Sequence, residues 1–262
     1  MSETIRYEVA DRVATITLNR PERMNAFTWE MTDAWAQALA EAQKDDTVHV
    51  VIVTGAGKAF CSGGDIQGMG ERKDRTPLER KSELVAHVHR IPLTLEAMDK
   101  PVIAAVNGAA TGAGMDLALQ CDLRYAAQSA RLGETYVRVG LVPGAGGTWF
   151  LPRLAGTAKA LELFWTGELI SAEEAERIGI VNKVLPDDQL MPHVREVAAK
   201  IAKGPPLSIR FIKRAVYQGT RIDLRTSLDL ISSHYAVVSS SADHREAVAA
   251  YLEKRKPSFT GK

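Results

Sequence analysis

The sequence has little of several features that would place a protein in a specialised class. Only two of its 262 residues are cysteines, Cys61 and Cys121, which provides neither a disulfide framework nor a metal cluster. The net charge of +1 gives no basic surface for nucleic acid or an anionic membrane. No apolar run approaches the roughly 18 residues that a membrane span needs. We therefore expect a cytoplasmic protein with reduced, buried thiols and no nucleic-acid, membrane or metal partner.

Targeting and nucleotide-binding signals are also missing. The N-terminal stretch MSETIRYEVADR has neither the apolar core of a signal peptide nor the Arg/Ser-rich pattern of a transit peptide. A phosphate-binding loop of the Walker A type fails because Ala59, not Ser or Thr, follows Lys58. A dinucleotide fingerprint fails because Gly112 and Gly114 are followed by Met-Asp-Leu. The glycines of this sequence therefore need another explanation.

The order of predicted elements indicates an α/β protein. Residues 13–19 and 48–55 are rich in β-branched side chains and predict strands, with a helix at 28–43 between them. Alternation continues through a helix within 79–98, a buried strand at 101–108, a helix from about Gly112 and strands near 123–126 and 130–133. Beyond about Met191 the pattern predicts only helices, at 206–218, 222–238 and 242–254. We expect a core of residues 1–190 and a helical region of residues 191–262.

Three Gly-rich stretches follow predicted strands, at 54–65, 107–114 and 143–149. Gly112 and Gly114 weaken the start of a helix, because glycine costs about 1 kcal/mol relative to alanine in a helix interior. The first N–H groups of a helix have no internal partner and carry the positive end of its dipole. Small residues there let a substrate carbonyl approach, and a second N–H from another Gly-rich loop completes an oxyanion hole. An oxyanion hole stabilises an enolate.

Five stretches resemble the enoyl-CoA hydratase/isomerase family, also called the crotonase superfamily. In chain order they are LNRPERMNAF, AFCSGGDI, PVIAAVNGAATGAGMDLALQCDLRYA, GLVPGAGGTWFLPRLAG and REAVAAYLEKRKPSF. The resemblance covers nearly the whole chain. It implies a crotonase-like α/β spiral of repeated ββα units, followed by a helical C-terminal trimerisation region. It also implies an acyl-CoA substrate, no cofactor other than the coenzyme A of that substrate, and a homotrimer or homohexamer.

The resemblance assigns two sets of binding groups. The backbone N–H groups of Gly64 and Ala113 match the oxyanion hole that holds the thioester oxygen. Other positions match contacts to coenzyme A, with the last two reaching a neighbouring subunit: Arg23, Met24, Ile66, Tyr251 and Lys254. The residues alone leave an alternative open, in which Tyr251 packs its helix and Lys254 is a solvated charge.

The acidic positions depart from the pattern of the family's hydratases, which hold a water between two glutamates. The resemblance places the first glutamate at Asp116 and the second at Tyr136. Aspartate is one methylene shorter, and tyrosine, with a pKa near 10, is a poor base at neutral pH but can donate a hydrogen bond. Glu134 is a further candidate for the second acid, because residues i and i+2 of an extended segment share a face.

The favoured function is hydration or double-bond isomerisation of an enoyl-CoA through a thioester enolate, with Asp116 as base or acid. Two alternatives stay open. One is another thioester reaction of the family, C–C hydrolysis or decarboxylation, with Tyr136 as the proton donor. The other is an acyl-CoA-binding protein that keeps the oxyanion hole and has lost the acids.

For several other polar or aromatic side chains we expect structural roles more than catalytic ones. Asp65 is expected to cap a turn or helix, and Asp122 to bond at the entry of its strand. His87 and His89 are two residues apart on a helix, so at most one is expected to line an acyl pocket. Trp149 either lines that pocket or packs its helix.

Overall fold

The computed structural model describes residues 3–71 and 74–262, and the strands within this part form two sheets. The larger sheet has six strands in the order β1-β2-β3-β5-β7-β10, parallel except for the β1–β2 hairpin. The smaller has the order β4-β6-β8-β9. The strands are β1 (Ile5–Ala10), β2 (Val13–Leu18), β3 (Val50–Gly55), β4 (Ala59–Cys61), β5 (Val102–Val106), β6 (Ala109–Thr111), β7 (Leu123–Ala127), β8 (Arg131–Gly133), β9 (Ile170–Ser171) and β10 (Lys183–Leu185).

The chain repeats one unit of two strands and a helical segment. The pairs β3–β4, β5–β6 and β7–β8 each place their first strand in the larger sheet and their second strand in the smaller. The sharp corner between β5 and β6 requires Gly108, because a Cβ there would lie 2.0 Å from the Lys58 carbonyl oxygen. The Asn107 side chain holds this corner by accepting from Gly55 N at 3.0 Å and donating to Gly57 O at 3.0 Å. The predicted spiral of ββα units is confirmed.

The helices begin where the sequence provides caps. Thr28 caps the first helix by accepting from Met31 N, and that helix buries Trp35 and Leu39 on one face, as its periodicity predicts. The helices are α1 (Trp29–Lys44), α2 (Ile66–Glu71), α3 (Pro77–Glu83), α4 (Arg90–Ala97), α5 (Ala113–Leu119), α6 (Gly147–Ala155), α7 (Thr157–Thr166), α8 (Ala172–Arg177), α9 (Leu190–Ala202), α10 (Pro206–Gly219), α11 (Leu224–Ser239) and α12 (Ala242–Leu252). A π-helical turn, Leu84–Val88, interrupts the helical stretch predicted within 79–98.

Two apolar clusters cover the two faces of the larger sheet. The main cluster lies on the side of α1 and α5. On the other face, α9 packs Leu190, Val194, Ala198 and Ala202 against the strands, a spacing that puts all four on one side of the helix. Helix α9 therefore starts at the predicted division at residue 190 and covers the sheet. That division stays a prediction.

Helices α10 and α11 are long, at 14 and 16 residues, yet neither contributes a fully buried residue within this chain. Polar bonds fasten α10 to the body of the protein: Arg210 pairs with Asp99 at 2.8 Å, and Lys213 pairs with Asp122 at 2.8 Å. Asp122 also accepts from Val102 N at 2.7 Å, so its predicted bond at the strand entry is confirmed. Large apolar side chains of the two helices are exposed: Ile212, Val216, Tyr217, Leu224, Leu228, Ile231, Tyr235 and Val237.

The composition led to expectations about disulfides, metal sites and membrane spans. Both cysteines are buried and free, as predicted. Within residues 3–71 and 74–262, no cluster of three or more His, Cys, Asp or Glu side chains is arranged to hold a metal ion. No helix in the same part of the chain combines the length and the apolar character needed to cross a membrane.

Candidate active site

Helix α5 starts at one end of the site, and its two glycines have structural roles of their own. Gly112, the residue before the helix, has φ +51° and ψ −126°, a conformation that L side chains rarely adopt. Gly114 packs against β4 so closely that a Cβ would lie 2.0 Å from the Cys61 carbonyl oxygen. The sequence suggested that these glycines are small so that a substrate carbonyl can approach. The structure adds a second reason for each of them. They shape the turn and bring the helix start against β4.

A second Gly-rich loop lies beside this helix start. A Cβ on Gly63 would lie 3.3 Å from Ala113 N, which places the loop of Gly63 and Gly64 next to the first turn of α5. The loop pairs with Phe27, which donates to Gly63 O at 2.9 Å and accepts from Asp65 N at 3.0 Å. Across residues 3–71 and 74–262, neither Gly64 N nor Ala113 N donates a hydrogen bond. Two unused backbone donors therefore lie in neighbouring segments.

Buried polar groups hold the loop that carries Gly64. Asn25 is fully buried with φ +56°, and its side chain accepts from Arg20 N at 2.8 Å and donates to Ala59 O at 2.8 Å. Arg20 then reaches Asp65 at 3.1 Å, and Asp65 also accepts from Gln67 N at 3.1 Å. The predicted capping role of Asp65 is confirmed. Burial opposes ionisation of Asp65, but Arg20 and the backbone N–H groups of Gly68 and Gln67 together outweigh it and lower the pKa of Asp65.

Asp116 is the acid of the site and is completely buried in the first turn of α5. Its Oδ2 accepts from the Tyr136 hydroxyl at 2.7 Å and from Ala145 N at 3.2 Å. Burial raises the pKa of Asp116 above its ordinary value. The hydrogen bonds from Tyr136 and from the backbone N–H group of Ala145 offset part of this rise.

Glu134 follows β8 and points inward rather than into a surface loop. It is fully buried, and its carboxyl group faces that of Asp116. Burial raises the pKa of Glu134 strongly, and the negative charge of Asp116 raises it further. Glu134 therefore lies beside Asp116, as its candidacy for the second acid requires. Its chemical role is a separate question.

Tyr136 lies on a short 3-10 helix, Thr135–Val139, and is only partly buried. Its ring edge is beside the start of α5, because a Cβ on Gly112 would lie 3.9 Å from Tyr136 Cε2. Burial raises the pKa of Tyr136 well above its ordinary value, and the charge of Asp116 adds to the rise. The phenol is thus a neutral donor whose hydroxyl is bonded to the buried carboxylate.

Sequence reasoning missed the loop that closes the site behind Asp116. Ala145 supplies a backbone donor, and Gly147 starts α6 directly against the acids. A Cβ on Gly147 would lie 2.0 Å from Asp116 Oδ1 and 3.1 Å from Glu134 Oε1, so only glycine fits. The signal was present in the stretch PGAGG, whose glycines were interpreted only as a turn or a close approach.

The predicted coenzyme A contacts divide into two groups. Arg23, Met24 and Ile66 adjoin the loop of Gly64, and Met24 O accepts from Ser62 N at 3.0 Å. The side chains of Met24 and Ile66 are exposed. Tyr251 and Lys254 lie at the end of α12, where Tyr251 is 84% exposed and so does not pack its own helix. Their contacts to coenzyme A stay a prediction.

The remaining candidates have partners inside the chain. His87 lies 3.1 Å from Asp33 and stacks on Trp29 with ring centroids 5.2 Å apart. His89 Nε2 lies 3.0 Å from Gly144 O. The Arg153 guanidinium lies 3.3 Å from the ring centre of Trp149, which is 44% exposed.

Comparisons with known proteins agree with this geometry. A family model described as enoyl-CoA hydratase/isomerase matches residues 8–262. The 1,2-epoxyphenylacetyl-CoA isomerase of Escherichia coli is 40% identical, with the whole of both chains covered. The short-chain-enoyl-CoA hydratase of Clostridium acetobutylicum is 39% identical over 95% of this chain and 94% of its own. The crystal structure of an enoyl-CoA hydratase from Bacillus anthracis superposes with a TM-score of 0.91 and 38% identity, over 99% of this chain and all of that one.

The chain belongs to the enoyl-CoA hydratase/isomerase family. The crotonase fold, predicted from five sequence stretches, is confirmed by solved relatives. The predicted class, an acyl-CoA-processing enzyme of the hydratase and isomerase type, is confirmed as well. Relatives of both reaction types match the full length of the fold.

Proposed function

We propose that this enzyme moves the double bond of an enoyl-CoA by proton transfer, with Asp116 and Tyr136 as the proton-handling pair. The observation that carries the proposal is the 2.7 Å hydrogen bond from the Tyr136 hydroxyl to a carboxylate that is otherwise sealed from solvent. A double-bond shift needs one group that takes a proton from one carbon and returns it to another. One connected carboxylate and phenol can do this.

The thioester oxygen binds between the N–H groups of Gly64 and Ala113. Removing a proton from the α carbon of a 3-enoyl thioester leaves an electron pair that spreads into a dienolate, with its negative charge largely on that oxygen. Two fixed donors in a site that excludes water stabilise this charge more than water does. The proton then returns at the γ carbon, which gives the conjugated 2-enoyl thioester.

Tyr136 is the group that meets the substrate, since Asp116 has no exposed surface. As the α C–H bond breaks, the phenol oxygen takes that proton while its own proton passes to Asp116 Oδ2. The reverse transfer delivers a proton to the γ carbon. The raised pKa of Tyr136 suits this relay, because the phenol stays neutral and never persists as a phenolate.

Hydration of a 2-enoyl-CoA is the second candidate, and the relatives favour it. Enzymes named short-chain-enoyl-CoA hydratase and crotonyl-CoA hydratase are 39% and 37% identical to this chain. In that case Tyr136 would orient a water for attack on the β carbon, Asp116 would accept the water's proton through the phenol, and the phenol would then return a proton to the α carbon of the enolate. Tyr136 stands where the resemblance expects the second glutamate, so Asp116 and the phenol would share the proton handling that two glutamates perform in the family's hydratases.

A substrate panel tests the proposal. We expect a higher kcat/KM for conversion of 3-enoyl-CoA into 2-enoyl-CoA than for hydration of the same chain length, measured by the absorbance of the conjugated thioester. Exchange of the α proton in D₂O should accompany isomerisation. Faster hydration than isomerisation at every chain length would select the second candidate. Binding of acyl-CoA with no turnover at all would reject both.

We further propose that coenzyme A lies along the loop of Arg23, Met24 and Ile66 and reaches Tyr251 and Lys254 of a neighbouring subunit. The exposure of these side chains supports this, because a single chain leaves them uncovered. The proposed proton transfer needs no redox or metal chemistry, and we therefore expect no cofactor other than the coenzyme A of the substrate. This expectation stays a prediction. The cytoplasmic location, inferred from the two thiols, also stays a prediction.

A trimer, or a hexamer of two trimers, is the expected assembly. On α11 the exposed side chains Leu224, Leu228, Ile231 and Tyr235 recur at helical spacing and form one apolar stripe. Contiguous exposed apolar surface of this kind marks a protein interface. Light scattering at micromolar concentration should give three or six times the 28.5 kDa of one chain, and Leu228→Glu should lower that mass. A monomer of the parent protein would contradict the prediction.

A further inference from the structure

Two buried carboxyl groups face each other at the back of the site with too few donors. Both Asp116 and Glu134 are fully buried. Counted as carboxylates, Asp116 Oδ1 and both oxygens of Glu134 have no donor among residues 3–71 and 74–262. Both carboxyl groups lie against the backbone of Gly147, because a Cβ there would be 2.0 Å from Asp116 Oδ1 and 3.1 Å from Glu134 Oε1. Two ionised carboxylates buried side by side, with three of their four oxygens lacking a donor, would be strongly destabilising.

One proton between the two side chains removes this conflict, and the other donors show where it belongs. Asp116 already accepts from Tyr136 and Ala145, both of which favour its ionised form. Among the described residues, Glu134 receives nothing comparable. We infer that Glu134 stays protonated and donates its proton in a hydrogen bond to Asp116 Oδ1, as a positioning residue for the proton relay. The inference rests on the role proposed for Asp116.

Among residues 3–71 and 74–262, the only charged side chain that shifts the pKa of Glu134 is that of Asp116, which is also an acid. The ionisable groups that face it are Asp116 from α5 and Tyr136 from the adjoining 3-10 helix. From the α6 side, the loop brings the backbone of Ala145 and Gly147. No positive charge is among the groups that raise or lower the pKa of Glu134. An ionised Glu134 would therefore repel Asp116 without compensation.

The protonated Glu134 affects the reaction through Asp116 alone. Its hydrogen bond fixes Oδ1 and so keeps Oδ2 aimed at the Tyr136 hydroxyl. It also favours the ionised state of Asp116, which has to accept a proton. The two acids hold one proton at rest, two when the relay has taken one from the substrate, and one again after its return, so the proton on Glu134 is not consumed.

The first test compares two substitutions of similar length. Glutamine in Glu134→Gln keeps an N–H donor for Asp116, whereas methionine in Glu134→Met removes it. Without the donor the ionised form of Asp116 loses support, so its pKa rises and the acid limb of the kcat/KM profile should move up by about 1–2 pH units. We expect this shift in Glu134→Met and not in Glu134→Gln, which should keep at least about tenfold more turnover at neutral pH. Equal profiles for the two variants would overturn the inference.

The second test needs no substrate and so separates this inference from the proposed function. The infrared spectrum of the parent protein at neutral pH should contain the C=O stretch of a protonated carboxylic acid, and the difference spectrum against Glu134→Gln should isolate it. A difference spectrum with only carboxylate bands would show Glu134 ionised and overturn the inference, even if Glu134→Met does not fold. If no acyl-CoA is turned over but the acid band is present, the proposed function fails and the protonated Glu134 stands.

Discussion

Replacing Ala113 with proline is expected to lower kcat about 100- to 1,000-fold, a rise in the barrier of about 2.7–4 kcal/mol. The substitution removes one of the two N–H groups proposed to hold the thioester oxygen, which would carry most of the charge of the dienolate. Ala113 is the first residue of α5, where proline is tolerated and even favoured. Gly112 before it has no Cβ to clash with the ring.

The matched control is Ala113→Gly, which keeps the N–H group while changing the same side chain. Turnover of both variants should be measured on the best substrate of the panel, with circular dichroism and thermal unfolding to verify that each is folded. We expect the glycine variant to lose far less turnover than the proline variant. A folded proline variant that turns over within about threefold of the parent would remove Ala113 N from the oxyanion hole.

Asp116→Asn is expected to keep coenzyme A affinity and to lower turnover at least about 100-fold, a barrier increase of about 2.7 kcal/mol. The amide cannot accept the proton that Tyr136 passes on. Tyr136→Phe should cause a loss of similar size, because it removes the group that reaches the substrate. Since both residues act in one relay, the turnover of the double variant should lie within about threefold of that of the slower single variant.

Tyr125→Phe is the control for the phenol, because Tyr125 packs with the apolar cluster under α9, on the other face of the larger sheet. It should leave turnover within about threefold. Affinity for a non-reactive acyl-CoA separates chemistry from binding in all the variants. If Asp116→Asn matches the parent on its best substrate, Asp116 is not the proton acceptor. If the two losses multiply in the double variant, Tyr136 and Asp116 act independently and the relay is wrong.

Much of the fold was predictable because its signals are local. The face of α1 that buries Trp35 follows from helical spacing, and β3 and β5 follow from short runs of β-branched and apolar residues. Short strands such as β9, with two residues, carry no periodicity and were missed. The π-helical turn at Leu84–Val88 was also out of reach, because nothing in a regular helical pattern marks one extra residue in a turn.

The sequence named the residues of the candidate site but not the contacts between them. The likeness to a family supplied Gly64, Ala113, Asp116 and Tyr136, and spacing supplied Glu134. The sequence could not reveal that Asp116 is sealed behind Tyr136, because the seal depends on Ala145 and Gly147, about thirty residues later in the chain. It also could not assign the glycines of α5 to packing, since the close approach of Cys61 O to Gly114 is a tertiary contact.

The two buried thiols can be used to measure local opening of the fold. Burial raises the pKa of Cys61 and of Cys121 to about 12, so neither reacts with an alkylating reagent while the fold is closed. Cys61 ends β4, just before the loop of Gly64, and Cys121 lies just beyond the end of α5. The rate at which each thiol is alkylated therefore reports how often the segment that carries each proposed oxyanion donor opens. A ligand that bridges Gly64 and Ala113 should lower the alkylation rates of Cys61 and Cys121 together.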